Sequence, residues 1–268
     1  MKNNAKNGQV RVGDTSMYYV SFGHGEKTLI LIPGLSDGLA TVKGKAALLA
    51  PPYKMFFDKY TVYMFSRKND MPDGYSIRDM AADQALAMKT LGIEKAYVVG
   101  VSQGGMISQY LAADFPELVE KLVLAVTAPC VNDVTRDAVT GWIKMAENGD
   151  HGALMRDTAE KMYSDAYLKK YSKFYPFLSL VGKPKSYRRF FINAKAILAF
   201  DAREADKNIK CPVLILGGER DMTVGSQAAH GLHEIIKGSE LHIYSGLGHG
   251  AYEEAKDFNS RIYDFCEK

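Results

Sequence analysis

Cysteine is scarce in this chain: Cys130, Cys211 and Cys266 are its only three, far apart and in no CxxC pattern. An odd, scattered set excludes a disulfide framework and a cysteine-rich metal site, and buried thiols are the expectation. Charge of one sign is equally sparing. A formal net charge of +3 at pH 7 is too small to imply a nucleic-acid or membrane partner. The basic clusters Arg67-Lys68, Lys183-Pro184-Lys185 and Arg188-Arg189 read as solvated faces. No apolar run reaches the length of a membrane span, and residues 1–14 lack the apolar core of a secretion signal. A soluble, cytoplasmic protein is therefore expected. Internal repeats and low-complexity stretches are missing as well.

What the sequence does contain is the patterning of a large globular domain, with nearly half of its 268 residues hydrophobic. Gln9 to Val12 and Met17 to Ser21 alternate in the manner of strands around Gly13-Asp14, a hairpin turn signal. Continuous apolar runs follow at Thr28–Ile32, Tyr60–Phe65, Ala96–Val101, Leu122–Val126, Val213–Leu216 and Leu241–Tyr244, as expected of strands buried on both faces. Ser76 to Leu91 and Met106 to Phe115 carry helical spacing between them. The alternation predicts an α/β fold with a doubly wound, mostly parallel sheet. It fails only from Cys130 to Lys207, which is helical in pattern and crowded with aromatics. Residues 130–207 are therefore expected to be an inserted helical cap, with 1–129 and 208–268 forming the core.

The sharpest chemical signal is Gly100-Val101-Ser102-Gln103-Gly104, placed between a strand and a helix pattern. A serine on such a turn needs small flanking residues, because neighbouring backbone crowds them. Its hydroxyl then stands above the sheet, and the Gln103 N–H at the head of the helix faces any oxyanion formed there. Serine is a weak nucleophile without a base. Among six histidines, His249 lies in the loop Gly246 to Gly250 just past the C-terminal end of a buried strand, where catalytic groups of open α/β sheets collect, whereas His24 lies in a Gly-rich turn after the hairpin. His24, His151, His230, His233 and His242 fit surface or core positions better. An acid must orient the histidine, and Asp221 follows the strand Val213–Leu216. Glu219 and Asp133 are its rivals.

With these residues in place, the chain resembles the α/β-hydrolase superfamily, in the branch of capped serine esterases, enol-lactonases and carbon-carbon bond hydrolases. The likeness runs from Leu29–Gly34 through Tyr75–Asp83, Leu91–Lys95 and Lys210–Gly218 to the histidine loop, and the order serine, acid, histidine is the family's. It implies that the Leu35 N–H completes an oxyanion hole beside Gln103, although relatives carry His-Gly where this chain has Pro33-Gly34. A second departure is Phe65-Ser66-Arg67-Lys68-Asn69-Asp70, in place of an Asp-x-Arg-Gly-x-Gly turn. The implied activity is cleavage of an ester-like bond in a small apolar or aromatic molecule through an acyl-enzyme, with neither metal nor organic cofactor. Trp142, Tyr163, Tyr167, Phe174, Phe177 and Phe191 are the candidate substrate-binding residues. Alternatives are a carbon-carbon bond hydrolase, an aminopeptidase holding an ammonium with a cap acid such as Glu204, or a binding protein with little turnover. Oligomeric state leaves no mark in the sequence.

Overall fold

A computed structural model describes residues 4–173 and 182–268. Its eight-stranded sheet has the order β1-β2-β4-β3-β5-β6-β7-β8. Strands β1 (Lys6–Val12) and β2 (Thr15–Gly23) form a hairpin that turns at Gly13, where φ is +60°. β2 also pairs antiparallel with β4 (Tyr60–Lys68). Every later neighbour is parallel: β3 (Lys27–Ile32), β5 (Ala96–Val101), β6 (Val119–Ala125), β7 (Val213–Gly218) and β8 (Glu240–Tyr244). Leu29, Ile30, Ile32, Val98, Leu122 and Leu124 are fully buried because helices cover both faces, so these strands show runs where alternation would mark a half-exposed sheet. The sheet is the expected doubly wound, mostly parallel one.

Eleven α-helices are resolved among the described residues. They are α1 (Ala46–Leu49), α2 (Ile77–Thr90), α3 (Gln103–Asp114), α4 (Asp133–Glu147), α5 (His151–Met162), α6 (Asp165–Tyr171), α7 (Arg188–Leu198), α8 (Arg203–Asp206), α9 (Ala228–Ile235), α10 (Ala251–Glu254) and α11 (Phe258–Glu267). Ser76 and Asp79 close α2 with reciprocal side-chain and backbone hydrogen bonds. Between β6 and β7 the chain runs through α4 to α8. The ends of that stretch meet where the Val131 N–H donates to Phe200 O at 3.0 Å and the Ala202 N–H to Pro129 O at 2.8 Å. Trp142, Phe190 and Ile197 of these helices join the apolar cluster that holds Ile30, Val98 and Leu124, so the segment packs onto the sheet's own core.

Three expectations change. β6 begins three residues before the apolar run, because polar Glu120 and Lys121 sit at its rim, where the Lys121 ammonium reaches Phe265 O. Of the cysteines only Cys266 is buried, which pushes its thiol up to about 12; Cys130 and Cys211 are half-buried. The basic clusters divide. Lys183, Lys185 and Arg188 are exposed, but Arg67 is 1% exposed and Arg189 is largely covered, both drawn in by the carboxylate of Asp37 and by backbone carbonyls.

Asp206, at the end of α8, is 1% exposed, and neither carboxyl oxygen has a partner among the described residues. Burial, and then the charge of Asp201, push it from 3.8 up to about 8. Between those values the unfolded chain releases a proton that the folded chain keeps, so stability falls as pH rises through that window. Thermal melts should therefore show Asp206→Asn several degrees more stable than the parent at pH 8, with the gap closing toward pH 4. An equal gap at both pH values would contradict the assignment.

Candidate active site

At the C-terminal end of β5 the chain reverses through Ser102, whose φ of 55° and ψ of −121° are unfavourable for a residue with a side chain. The turn is held on both sides. The Ser102 N–H donates to Ala125 O at 2.9 Å, and the Thr127 hydroxyl donates to Ser102 O at 2.8 Å. Glycine is required around it: a Cβ at Gly104 would overlap the Ile32 carbonyl, and one at Gly105 would lie 2.6 Å from Thr127 Cγ2. Helix α3 begins directly after the turn, three residues ahead of the helical spacing in the sequence.

Two other strand ends deliver the partners. His249 follows β8, and its Nε2 lies 2.9 Å from Ser102 Oγ. Asp221 follows β7, with Oδ2 2.8 Å from His249 Nδ1. A carboxylate only accepts, so Nδ1 carries the proton and Nε2 is left to accept from the serine. Asp221 is 5% and His249 3% exposed, and Asp221 Oδ1 accepts the Thr223 and Val224 N–H groups at 2.8 and 2.9 Å. Each oxygen of this buried carboxylate is thereby occupied.

The rival acids point elsewhere. Glu219 accepts the Gly246 N–H at 2.7 Å and the Ser245 hydroxyl at 3.0 Å, bonds that hold its carboxyl below the usual range and tie down the histidine loop. Asp133 stands in the first turn of α4. Glu204 is exposed and paired with Lys207, away from the cavity, so it cannot hold a substrate ammonium there. His151 contacts the Tyr187 hydroxyl and His233 that of Ser239. No group of three or more His, Cys, Asp or Glu among the described residues could hold a metal ion.

Ser102 and His249 open onto a cavity of about 350 Å³. Trp142 and Tyr163 line it. Trp142 donates its indole N–H to Asp157 at 2.7 Å, and Tyr163 its hydroxyl to Glu253 at the same distance. Tyr167 stacks on Tyr163 but faces an adjoining cavity, which shares Gly34, Ser36, Val101, Tyr252 and Glu253 with the first. Phe191 corrects the expectation: it borders a separate hollow near Asp73–Ser76, because on α7 its neighbour Phe190 takes the inward position. Phe174 and Phe177 lie outside the described residues. Missed in the sequence were Met155, Met162, Phe190 and Glu253. Helical spacing on α5 and the position of Glu253 four residues after His249 were the available signals. Leu35 and Gln103 each open a helix, and neither N–H meets an acceptor among the described residues.

Residues 58–153 match the alpha/beta hydrolase fold family, and residues 193–264 match the dienelactone hydrolase family. The chain is 29% identical over 209 residues to the AB hydrolase superfamily protein YisY of Bacillus subtilis, covering 74% of this chain and 76% of that one. It is 26% identical to the serine hydrolase BPHL of Homo sapiens, over 97% of this chain and 86% of the relative. Among solved structures, MGS-M2, an alpha/beta hydrolase enzyme from a Medee basin deep-sea metagenome library, superposes with a TM-score of 0.83 at 20% identity, covering 97% and 98% of the two chains. This is an open α/β sheet with a strained serine at one strand end. The chain belongs to the α/β-hydrolase superfamily.

The crowding at the elbow gives the same substitution opposite signs at two glycines. Gly104→Ala meets backbone and should cost roughly 1–3 kcal/mol, or about 2–6 °C in Tm for a chain of 268 residues. Gly141→Ala, inside α4 with open space around it, should raise Tm by a degree or more. Differential scanning calorimetry on both variants checks this. Equal shifts would mean that packing at Gly104 does not constrain the turn.

Proposed function

We propose that the protein is a serine hydrolase that cleaves an ester-like bond of a small, apolar, uncharged molecule through an acyl-enzyme. The observation that carries this reading is the buried chain from Ser102 Oγ through His249 to Asp221, with links of 2.9 and 2.8 Å, opening on an apolar cavity. Ser102 attacks the carbonyl while His249 Nε2 takes its proton. Asp221 keeps the imidazole in the required tautomer and offsets its charge. The N–H groups of Leu35 and Gln103 receive the oxyanion, each contributing about 2.7–4 kcal/mol. His249 then returns the proton to the leaving group and activates the water that releases the acid.

Helices α4 to α8 serve as the cap in this reading. Trp142, Met155, Met162, Tyr163 and Phe190 supply its apolar wall, so they set which acyl or alcohol groups fit. Among the described residues no lysine or arginine lines the cavity, and Glu253 is the one acid there. Arg67, Arg188 and Arg189 are committed to carbonyls and to Asp37 or Asp73. A substrate carboxylate in this cavity would find no counter-charge among the described residues that line it.

On short-chain p-nitrophenyl esters, Ser102→Ala should lose at least about three orders of magnitude in kcat with an unchanged melting temperature, and Asp221→Asn should be comparably impaired. Glu219→Gln and Asp133→Asn should stay within a few-fold of the parent. Near-normal turnover by purified Ser102→Ala would remove the reading. As a test of charge selection, p-nitrophenyl butyrate should exceed the p-nitrophenyl monoester of succinic acid in kcat/KM by tens-fold, and Glu253→Gln should narrow that ratio. A preference for the charged ester would contradict an uncharged substrate.

A further inference from the structure

The guanidinium of Arg67, on β4, is buried against the loop that follows β3, and Arg67 is not among the residues that line the cavity. Through Nη2 alone it donates to Pro33 O at 2.6 Å, to Gln103 Oε1 at 3.0 Å and, at 3.4 Å, to Gly34 O. The Gly34 carbonyl also accepts the Asp37 N–H at 3.2 Å. A trans peptide is planar, with its C=O and N–H pointing in opposite directions. Fixing the Gly34 carbonyl toward Arg67 and Asp37 therefore turns the Leu35 N–H the other way. The nucleophile lies close by: a methyl group on Gly34 would sit 3.2 Å from Ser102 Cβ and 3.6 Å from its hydroxyl.

Gln103 is held by the same group. Its side chain, fully buried, accepts from Arg67 and donates to Asn193 O at 2.9 Å, which fixes the first turn of α3 and with it the Gln103 N–H. Asp37, 2% exposed, accepts the Arg67 N–H at 3.0 Å and the Arg189 guanidinium at 2.6 Å. Arg189 in turn donates to Arg67 O, Lys68 O and Asp37 O at 2.7–2.9 Å. Arg189 and Asn193 both belong to α7, the helix whose Phe190 and Ile197 wall the cavity. Burial pushes Arg67 down to about 10, so it remains a cation at neutral pH, and the two arginines hold Asp37 ionised against the cost of its burial.

We propose that Arg67 is a positioning residue for both oxyanion donors, and that Asp37 and Arg189 lock this arrangement to helix α7 of the cap. The inference rests on the serine-hydrolase reading. Arg67 touches no substrate, and its effect passes through the orientation of two backbone N–H groups. Those groups interact more strongly with the oxyanion than with the ground-state carbonyl. Its loss should therefore appear in kcat and spare KM, which a general loosening of the fold would not do.

The test uses the full chain with Arg67→Met and Arg67→Lys, checked for folding by circular dichroism and melting. The readouts are kcat and KM on p-nitrophenyl butyrate and affinity for an alkyl trifluoromethyl ketone, which forms a hemiketal oxyanion on the serine. Arg67→Lys, which retains the charge but not the planar fork, is expected to fold and to lose at least tenfold in kcat, with KM within twofold. Arg67→Met, where folded, should lose about a hundredfold. Ketone affinity should fall by the same factor as kcat/KM. A folded variant with kcat and ketone affinity within twofold of the parent, or with a change confined to KM, would overturn the inference. If the parent chain itself neither turns over the ester nor binds the ketone, the serine-hydrolase reading fails instead.

Discussion

Everything at this site depends on one strained residue. A backbone at φ 55° and ψ −121° costs roughly 1–3 kcal/mol for a residue other than glycine, and persists only where the surroundings leave no alternative. Here β6 takes the Ser102 N–H and Thr127 takes its carbonyl. Gly100, Gly104 and Gly105 let α3 press against β5, against the end of β3 and against Thr127 just past β6. The strain is held by contacts that cross the centre of the sheet. The placing of the hydroxyl against His249 at the cavity, and of the Gln103 N–H at the head of α3, are both consequences of that turn.

The histidine and acid loops follow the same economy of space. Gly218 and Gly248 pass so close that a side chain on Gly218 would overlap the Gly248 carbonyl, and Arg220 N–H donates to Leu247 O at 2.9 Å. Glu219 pins the base of the histidine loop while Asp221, two residues on, reaches the imidazole. The Gly250 N–H donates to Met162 O at 2.6 Å, at the end of α5. The segment that walls the cavity is thus bonded directly to the loop that carries His249. Movement of α5 would be felt at the base, as movement of α7 would be felt through Arg189 and Asp37 behind Gly34.

The parallel strands are legible in the sequence because burial on both faces produces unbroken apolar runs, and the elbow is legible because only glycine survives its crowding. His249 and Asp221 could be picked out by their places just past strand ends. Arg67 could not. A basic pair just past an apolar run looks like a solvated face, and only the fold, which puts both residues at the end of β4, brings Asp37, Pro33 and Gln103 around Arg67. The inward set of aromatics was half legible for a related reason. Helical spacing gives the apolar stripe of α7 but not its rotation, so Phe191 and Phe190 exchange places with respect to the cavity.

In the proposed reaction Ser102 becomes covalently acylated during turnover. The most direct measurement is mass spectrometry of the protein quenched in acid milliseconds after mixing with excess p-nitrophenyl butyrate, followed by peptide mapping. A butyryl group is expected on the peptide carrying Ser102, formed with a burst of up to one equivalent of nitrophenol and absent from Ser102→Ala. Steady release of nitrophenol from a chain that never carries the acyl group, or an acyl group at another residue, would contradict it.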